Sequence, residues 1–226
     1  GRSMRALFSQ LLDLLYPPKC VFCRRLLRAG EREVCARCAE ELPWTGEDCL
    51  QRLTDVPRCV SPLWYRDKVK ESFHRYKFSD RSGYATAYGR LMAQCVRIRL
   101  DWKWDLITWV PLSAERYAQR GYDQAMLLAL ATARDLEDVA AETLRKSQDV
   151  QAQSGLKDDA QRRANVVGVY EAADPELVRG KRVLLVDDVV TTGSTLSECA
   201  RTLLAAGAAE VCAVTLARAR GREPKT

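Results

Sequence analysis

Apolar positions recur along this chain in two rhythms, and the changes between them mark its elements. Continuous apolar runs at 105–110 (DLITWV), 182–186 (RVLLV) and 211–216 (VCAVTL) read as buried strands of a parallel sheet, whose strands are covered on both faces. Helical spacing takes over between them. Ala87, Leu91, Cys95 and Ile98 form one stripe within 84–99, and Leu196, Cys199, Ala200, Leu203 and Leu204 form another within 196–206, with Gly207 as its C-cap. Residues 123–136 are rich in Ala and Leu on all sides, which predicts a buried helix. Shorter signals predict a strand at 63–65 and a helical turn at 69–76. Strand, helix, strand over 182–216 is a βαβ crossover, so the sheet is parallel and a ligand belongs at the carboxyl ends of its strands.

Outside these elements the pattern lapses twice. Residues 146–165 (KSQDVQAQSGLKDDAQRRAN) are polar and aperiodic, the composition of a long loop, which inside a compact domain is a functional lid or disordered. Ahead of about residue 60 the chain is irregular, with Pro17, Pro18, Pro43 and Pro57 and a concentration of cysteines. This divides the chain into a metal-binding segment, 4–60, and an α/β domain, 61–220. The apolar run at 4–17 is broken by Gln10 and Asp13 and no small-residue cleavage site follows. It therefore reads as a short amphipathic helix with Leu7, Leu11, Leu14 and Leu15 on one stripe, not as an export signal.

At 226 residues, 47% of them hydrophobic, the chain suffices for one substantial domain and a small appendage, which excludes a disordered or disulfide-held miniprotein. No stretch approaches the roughly 20 apolar residues of a membrane span. The net charge of +6 is local: residues 64–120 hold 12 Lys or Arg against 6 acids. Such an excess attracts the phosphates of a small ligand or of a nucleic acid through the same Coulomb term, so it does not choose between them. Nine cysteines, an odd number with only two CxxC pairs, speak against a disulfide framework and for a reducing cytoplasm.

Two constellations carry chemistry. In VLLVDDVVTTGST (183–195) a buried strand runs into two carboxylates and then a turn that opens a helix. Thr191, Thr192, Gly193, Ser194 and Thr195 offer amides and hydroxyls as a phosphate cup at the positive helix end. Asp187 and Asp188, adjacent on a strand, point to opposite sides and so do not form a simple acid and base pair. The turn lacks a Gly-Lys-Ser/Thr ending and is not GxGxxG. The second constellation is Cys20, Cys23, Cys35 and Cys38, whose two CxxC knuckles suit one tetrahedral Zn²⁺ with a closed, structural shell. Cys49 and Cys59 form no knuckle. Losing one ligand is expected to loosen the N-terminal segment and leave the α/β domain folded.

The stretch 183–195 resembles the phosphoribosyl-pyrophosphate (PRPP) signature of type I phosphoribosyltransferases, which implies that Asp187 and Asp188 hold the ribose hydroxyls and the loop holds the 5′-phosphate. Joined with the paired CxxC knuckles, YRDKVKESFHRYKFSD at 65–80, WVPLSAERYAQRGYDQAMLLA at 109–129 and a closing TLARA, it makes the chain resemble the ComF family of competence proteins from about residue 16 to 219. The resemblance implies a cytoplasmic protein linked to DNA uptake in natural transformation, with a parallel-sheet type I phosphoribosyltransferase fold behind a small zinc ribbon. Many relatives carry a second cysteine knuckle, of which only Cys49 and Cys59 remain here.

For the site, the resemblance implies a pyrophosphate loop at Pro111, Leu112 and Ser113 with Arg116, Arg120 and Lys77 as anion contacts. It also implies a catalytic loop at 145–165 that covers PRPP, with Arg162 and Arg163 as its anion contacts beside the catalytic Asp187 and Asp188, and Mg²⁺ bound with PRPP. Three functions follow: transfer of ribose 5-phosphate with release of pyrophosphate, a PRPP or nucleoside-monophosphate sensor, or a nucleotide-salvage enzyme. The sensor would work with single-stranded DNA and competence partners such as a helicase or recombination mediator. Trp102 and Trp104 flank Lys103 and would suit base stacking, although burial is the plainer reading of both, as core packing is of Trp109. The lone His74 reads as a surface residue.

Overall fold

The computed structural model describes residues 17–78, 82–112, 118, 122–146 and 169–220. The amphipathic helix expected at 4–17 and the loop expected at 146–165 fall almost wholly outside them. In chain order the strands are β1 (Leu50–Leu53), β2 (Val56–Val60), β3 (Leu63–Trp64), β4 (Leu106–Trp109), β5 (Leu144–Lys146), β6 (Tyr170–Ala172), β7 (Arg182–Val190) and β8 (Glu210–Arg218). The helices are α1 (Ala36–Glu41), α2 (Asp67–Phe78), α3 (Ser82–Arg99), α4 (Gln124–Asp135), α5 (Pro175–Val178) and α6 (Ser194–Ala205).

The main sheet runs β1-β2-β8-β7-β4, with β3 also paired to β8. Only the β1–β2 pair is antiparallel. The apolar runs at 182–186 and 211–216 are its two central strands. Their period of two sorts the side chains onto two layers. Leu184, Val186, Cys212 and Val214 pack with Tyr76, Met92 and Leu128 from α2, α3 and α4, whereas Val183, Leu185, Val211 and Ala213 pack with Leu196, Cys199 and Leu203 from α6. Helices α3 and α4 touch at Gly89, where a Cβ would stand 2.6 Å from that of Ala131. Contrary to the expectation of burial all round, α4 leaves Leu130 43% exposed on its outer face. β5 and β6 form a separate antiparallel pair, with residues 147–169 between them in the chain.

Two findings differ from the sequence reading. Residues 50–60, read as irregular, form the hairpin β1–β2, turned at Asp55 with φ +62°, and β2 extends the main sheet beside β8. Its strands are short and β1 is half-exposed, so no periodicity betrayed it. The zinc knuckles, moreover, are not a detached unit. Cys20, Val21, Phe22, Cys35 and Cys38 belong to the same hydrophobic core as Tyr76, Tyr88, Ile107 and Leu184. Ser72 Oγ donates to the Val21 carbonyl (2.7 Å), and Arg75 Nη2 to the carbonyls of Val21 (2.9 Å) and Phe22 (2.7 Å). The ligands' own segment thus packs into the core of the α/β domain, so loss of the metal is expected to reach that core as well.

Trp109 is buried. Trp102 and Trp104 are only half-buried against the core, and Trp104 Nε1 donates to Asp138 Oδ2 (2.9 Å). His74 is exposed. Among the described residues no helix is long and apolar enough to cross a membrane.

Candidate functional site

The carboxyl end of β7 carries the paired carboxylates at the centre of the sheet. Both are half-buried. Asp187 Oδ1 accepts the Asp188 N–H (2.8 Å) and Asp188 Oδ1 accepts the Val189 N–H (2.6 Å). Burial drives the Asp187 carboxyl well above its ordinary range, and the neighbouring charge of Asp188 pushes it further. The charge of Asp188 also adds to burial in raising the Tyr65 and Tyr76 phenols.

Past β7 the chain turns through Thr191 and Thr192, both exposed, to Gly193, whose φ of +81° is a left-handed conformation that a side chain resists. Gly193 starts α6, and the turn is tied by the Thr192 and Ser194 hydroxyls at 2.8 Å and by the Ser194 N–H on Thr192 Oγ1 at 3.3 Å. Ser194 and Thr195 are half-buried. A Cβ on Gly193 would stand 2.6 Å from Leu53 Cδ2, so the β1–β2 hairpin supports the loop from beneath. Gly193→Ala is therefore expected to distort the turn at a cost of about 1–3 kcal/mol. Differential scanning fluorimetry should find the melting midpoint lowered by several degrees while circular dichroism stays unchanged.

On one side of β7 lies β4, with Trp109 level with Val186 and the Val110 N–H donating to the Val186 carbonyl (3.0 Å). Pro111 and Leu112 follow, half-buried. Asp123 holds this exit: its Oδ2 accepts the Leu112 N–H (3.0 Å) and its Oδ1 caps α4 through the Met126 N–H (3.1 Å). Burial raises the Asp123 carboxyl, and these N–H donors work against it. The sequence reading used Asp123 only to start a helix; its second bond depends on where the β4 loop passes. Lys77 sits beside this segment, its carbonyl accepting the Tyr122 hydroxyl (3.0 Å) and its Nζ 4.8 Å from the Phe73 ring centre. Ser113, Arg116, Arg120, Arg162 and Arg163 lie outside the described residues.

At the other end of the shared core the Sγ atoms of Cys20, Cys23, Cys35 and Cys38 all lie within 4.8 Å of one another, Cys23 and Cys35 at 3.6 Å. Thiolates about 2.3 Å from a tetrahedral zinc stand about 3.8 Å apart, so the four fit one Zn²⁺. The Cys35 N–H points at Cys20 Sγ and the Cys38 N–H at Cys35 Sγ, both at 3.4 Å. Burial opposes ionisation of Cys35, but the Cys38 N–H and the Arg25 guanidinium bring it down to about 6. Among the described residues no other three potential ligands converge; Cys49 and Cys59 are buried apart from this cluster.

Residues 87–226 match the phosphoribosyl transferase domain, and residues 11–60 match the double zinc ribbon domain. "DNA utilization protein YhgH" of Escherichia coli O157:H7 is 31% identical over 223 residues, covering 88% of this chain and 96% of its own length. The chain belongs to the ComF/YhgH family. Competence protein F of Haemophilus influenzae is 28% identical, with 89% of this chain and 97% of that protein covered. Among solved structures, glutamine PRPP amidotransferase from B. subtilis is 25% identical over 58% of this chain and 25% of its own, at a TM-score of 0.41. The ComF/YhgH assignment accounts for the mostly parallel α/β sheet behind an N-terminal zinc ribbon, and for the position of the loop between β7 and α6.

Proposed function

We propose that this ComF/YhgH protein binds PRPP across the carboxyl end of β7 and transfers its ribose 5-phosphate with release of pyrophosphate. The observation that carries the reading is the continuity of β7, Asp187, Asp188, the left-handed Gly193 and α6. One rigid strand thereby holds two carboxylates beside a turn of exposed hydroxyls at a helix N-terminus. The carboxylates accept hydrogen bonds from the ribose hydroxyls, and the 191–195 turn holds the 5′-phosphate. The exit of β4 at Pro111 and Leu112, fixed by Asp123, lies where the pyrophosphate departs, with Ser113, Arg116, Arg120 and Lys77 as its anion contacts. Arg162 and Arg163 supply further anion contacts to PRPP. Mg²⁺, if bound with PRPP, would neutralise pyrophosphate charge.

The relatives' names favour a role in DNA use, so the setting we assign is cytoplasmic handling of incoming DNA, alongside single strands and competence partners. A nucleotide sensor would use the same site without turnover, and product analysis separates the two. Incubation with PRPP, Mg²⁺ and a panel of nucleobases and amines is expected to release pyrophosphate above the uncatalysed rate. Saturable binding without release would assign the sensor instead. Asp188→Ala is expected to weaken PRPP by roughly ten- to a hundredfold in calorimetry, the loss of one hydrogen bond to a charged group. Unchanged affinity removes the ribose assignment.

A further inference from the structure

The carboxyl edge of the sheet has two unlike sides around β7. On the β4 side lie Pro111 and Leu112. On the opposite side β8 and β3 end together, with Arg218 level with both Val190 of β7 and Trp64 of β3. The Tyr65 N–H donates to the Arg218 carbonyl (2.8 Å). Here two guanidiniums share one indole: Cζ of Arg218 is 5.1 Å and Cζ of Arg220 4.9 Å from the Trp64 ring centre. Lys70 Nζ lies 5.8 Å from the Tyr65 ring centre.

What holds these cations decides what they are available for. Elsewhere arginines are matched to carboxylates, Arg182 to Asp105, Arg90 to Glu33, Arg97 to Asp135 and Arg201 to Glu198. An ion pair of that kind cancels the charge. Lys70, Arg218 and Arg220 form no ion pair among the described residues, and an aromatic face orients a cation without neutralising it. Arg218 is further fixed by donating to the Asp48 carbonyl (2.6 Å), while Arg220 is exposed. The result is a pre-oriented, uncompensated cationic and aromatic surface. Tyr65 adjoins the ribose carboxylates, since the charge of Asp188 acts on its phenol.

We propose that Trp64, Tyr65, Lys70, Arg218 and Arg220 form a second subsite at this edge, which takes a nucleobase carrying a phosphate, as a free nucleotide or as part of a single strand of nucleic acid. Planar guanidinium and indole groups stack on any base, and the unpaired charges meet the phosphate. The assignment of this surface to the same edge as the ribose site rests on the PRPP reading of Asp187 and Asp188.

The test uses the full zinc-loaded chain, with fluorescein-labelled oligothymidylate and a fluorescent AMP analogue as anisotropy probes at low salt, and PRPP affinity measured in parallel by calorimetry. Arg220→Gln and Trp64→Leu are each expected to weaken the bound probe roughly fivefold or more. Lys103→Gln should leave it unchanged, and Arg220→Gln should keep PRPP affinity within about twofold. Binding of the AMP analogue that Arg220→Gln weakens assigns a free nucleotide, and binding of the oligonucleotide alone, weakened by Arg220→Gln and falling steeply with salt, assigns a strand; either supports the subsite, whereas AMP binding that Arg220→Gln leaves unchanged lies at the 187–195 site and overturns it. No binding of either probe, or equal losses for Lys103→Gln and Arg220→Gln, overturns it. Should Trp64→Leu fail to fold, the exposed Arg220→Gln decides. Failure of the PRPP reading shows separately, as PRPP affinity indifferent to Asp188→Ala.

Discussion

Asp187→Asn is expected to raise the melting temperature of the ligand-free protein and at the same time weaken PRPP by roughly ten- to a hundredfold. The amide is isosteric and its oxygen still accepts the Asp188 N–H, so the turn at the end of β7 is retained. What disappears is a carboxylate that burial and the charge of Asp188 both disfavour, with Asp123 a further like charge. In a chain of this size each kcal/mol regained raises the midpoint by about 2–4 °C. The pH dependence gives the sign. Because the folded carboxyl titrates above its unfolded value of 3.8, its contribution to stability is fully present below that value and is lost as pH rises through the folded one. The variant should therefore exceed the wild type most near neutral pH, and the gap should close as pH falls toward about 4. Differential scanning fluorimetry across this range decides it: a variant that melts below the wild type at neutral pH shows that Asp187 does not store this electrostatic cost. Such a trade is what a ligand site built on repelling carboxylates requires.

Removing the zinc is expected to destabilise the whole chain, not only its first part. Structural zinc contributes about 10–16 kcal/mol of apparent binding free energy in small peptides, and even a fraction of that exceeds the margin of most domains. Cys20, Cys35, Cys38 and Phe22 share one core with Tyr76, Tyr88 and Leu184, and the Phe22 and Tyr88 rings are 6.0 Å apart. Chelation, or Cys35→Ser, should lower the single melting transition by at least about 10 °C. Metal analysis should find one equivalent beforehand. A calorimetric transition of the α/β part that stays in place after chelation would restore the picture of two independent units.

Much of the site is written locally. VLLVDDVVTTGST is legible because a covered parallel strand must be apolar, because a phosphate cup needs small hydroxyl residues and a glycine, and because the structure places them on β7, the turn and α6 in that order. The four zinc ligands are legible for a similar reason, since two knuckles fix their spacing within a few residues of chain. Boundaries were less so: β7 continues through Val190, beyond the apolar run, because pairing with β8 carries the strand past its carboxylates.

The rest was settled only where distant parts of the chain meet. That Leu53 would support Gly193 required the hairpin β1–β2 to join the sheet beside β8, and its short, half-exposed strands have too little apolar surface to announce it. That Asp123 would hold Leu112 depended on where β4 delivers its loop. Trp64 finds Arg218 and Arg220 only because β3 pairs with the end of β8. Sequence periodicity encodes which face of an element is apolar, so the chain by itself determined β3, β4, β7 and β8, the helices α2, α3, α4 and α6, the turn at 191–195 and the zinc knuckles. Which faces come together, and so which side chains support the turn, share the zinc core or line the far edge, is set by packing between elements, which only the tertiary structure decided.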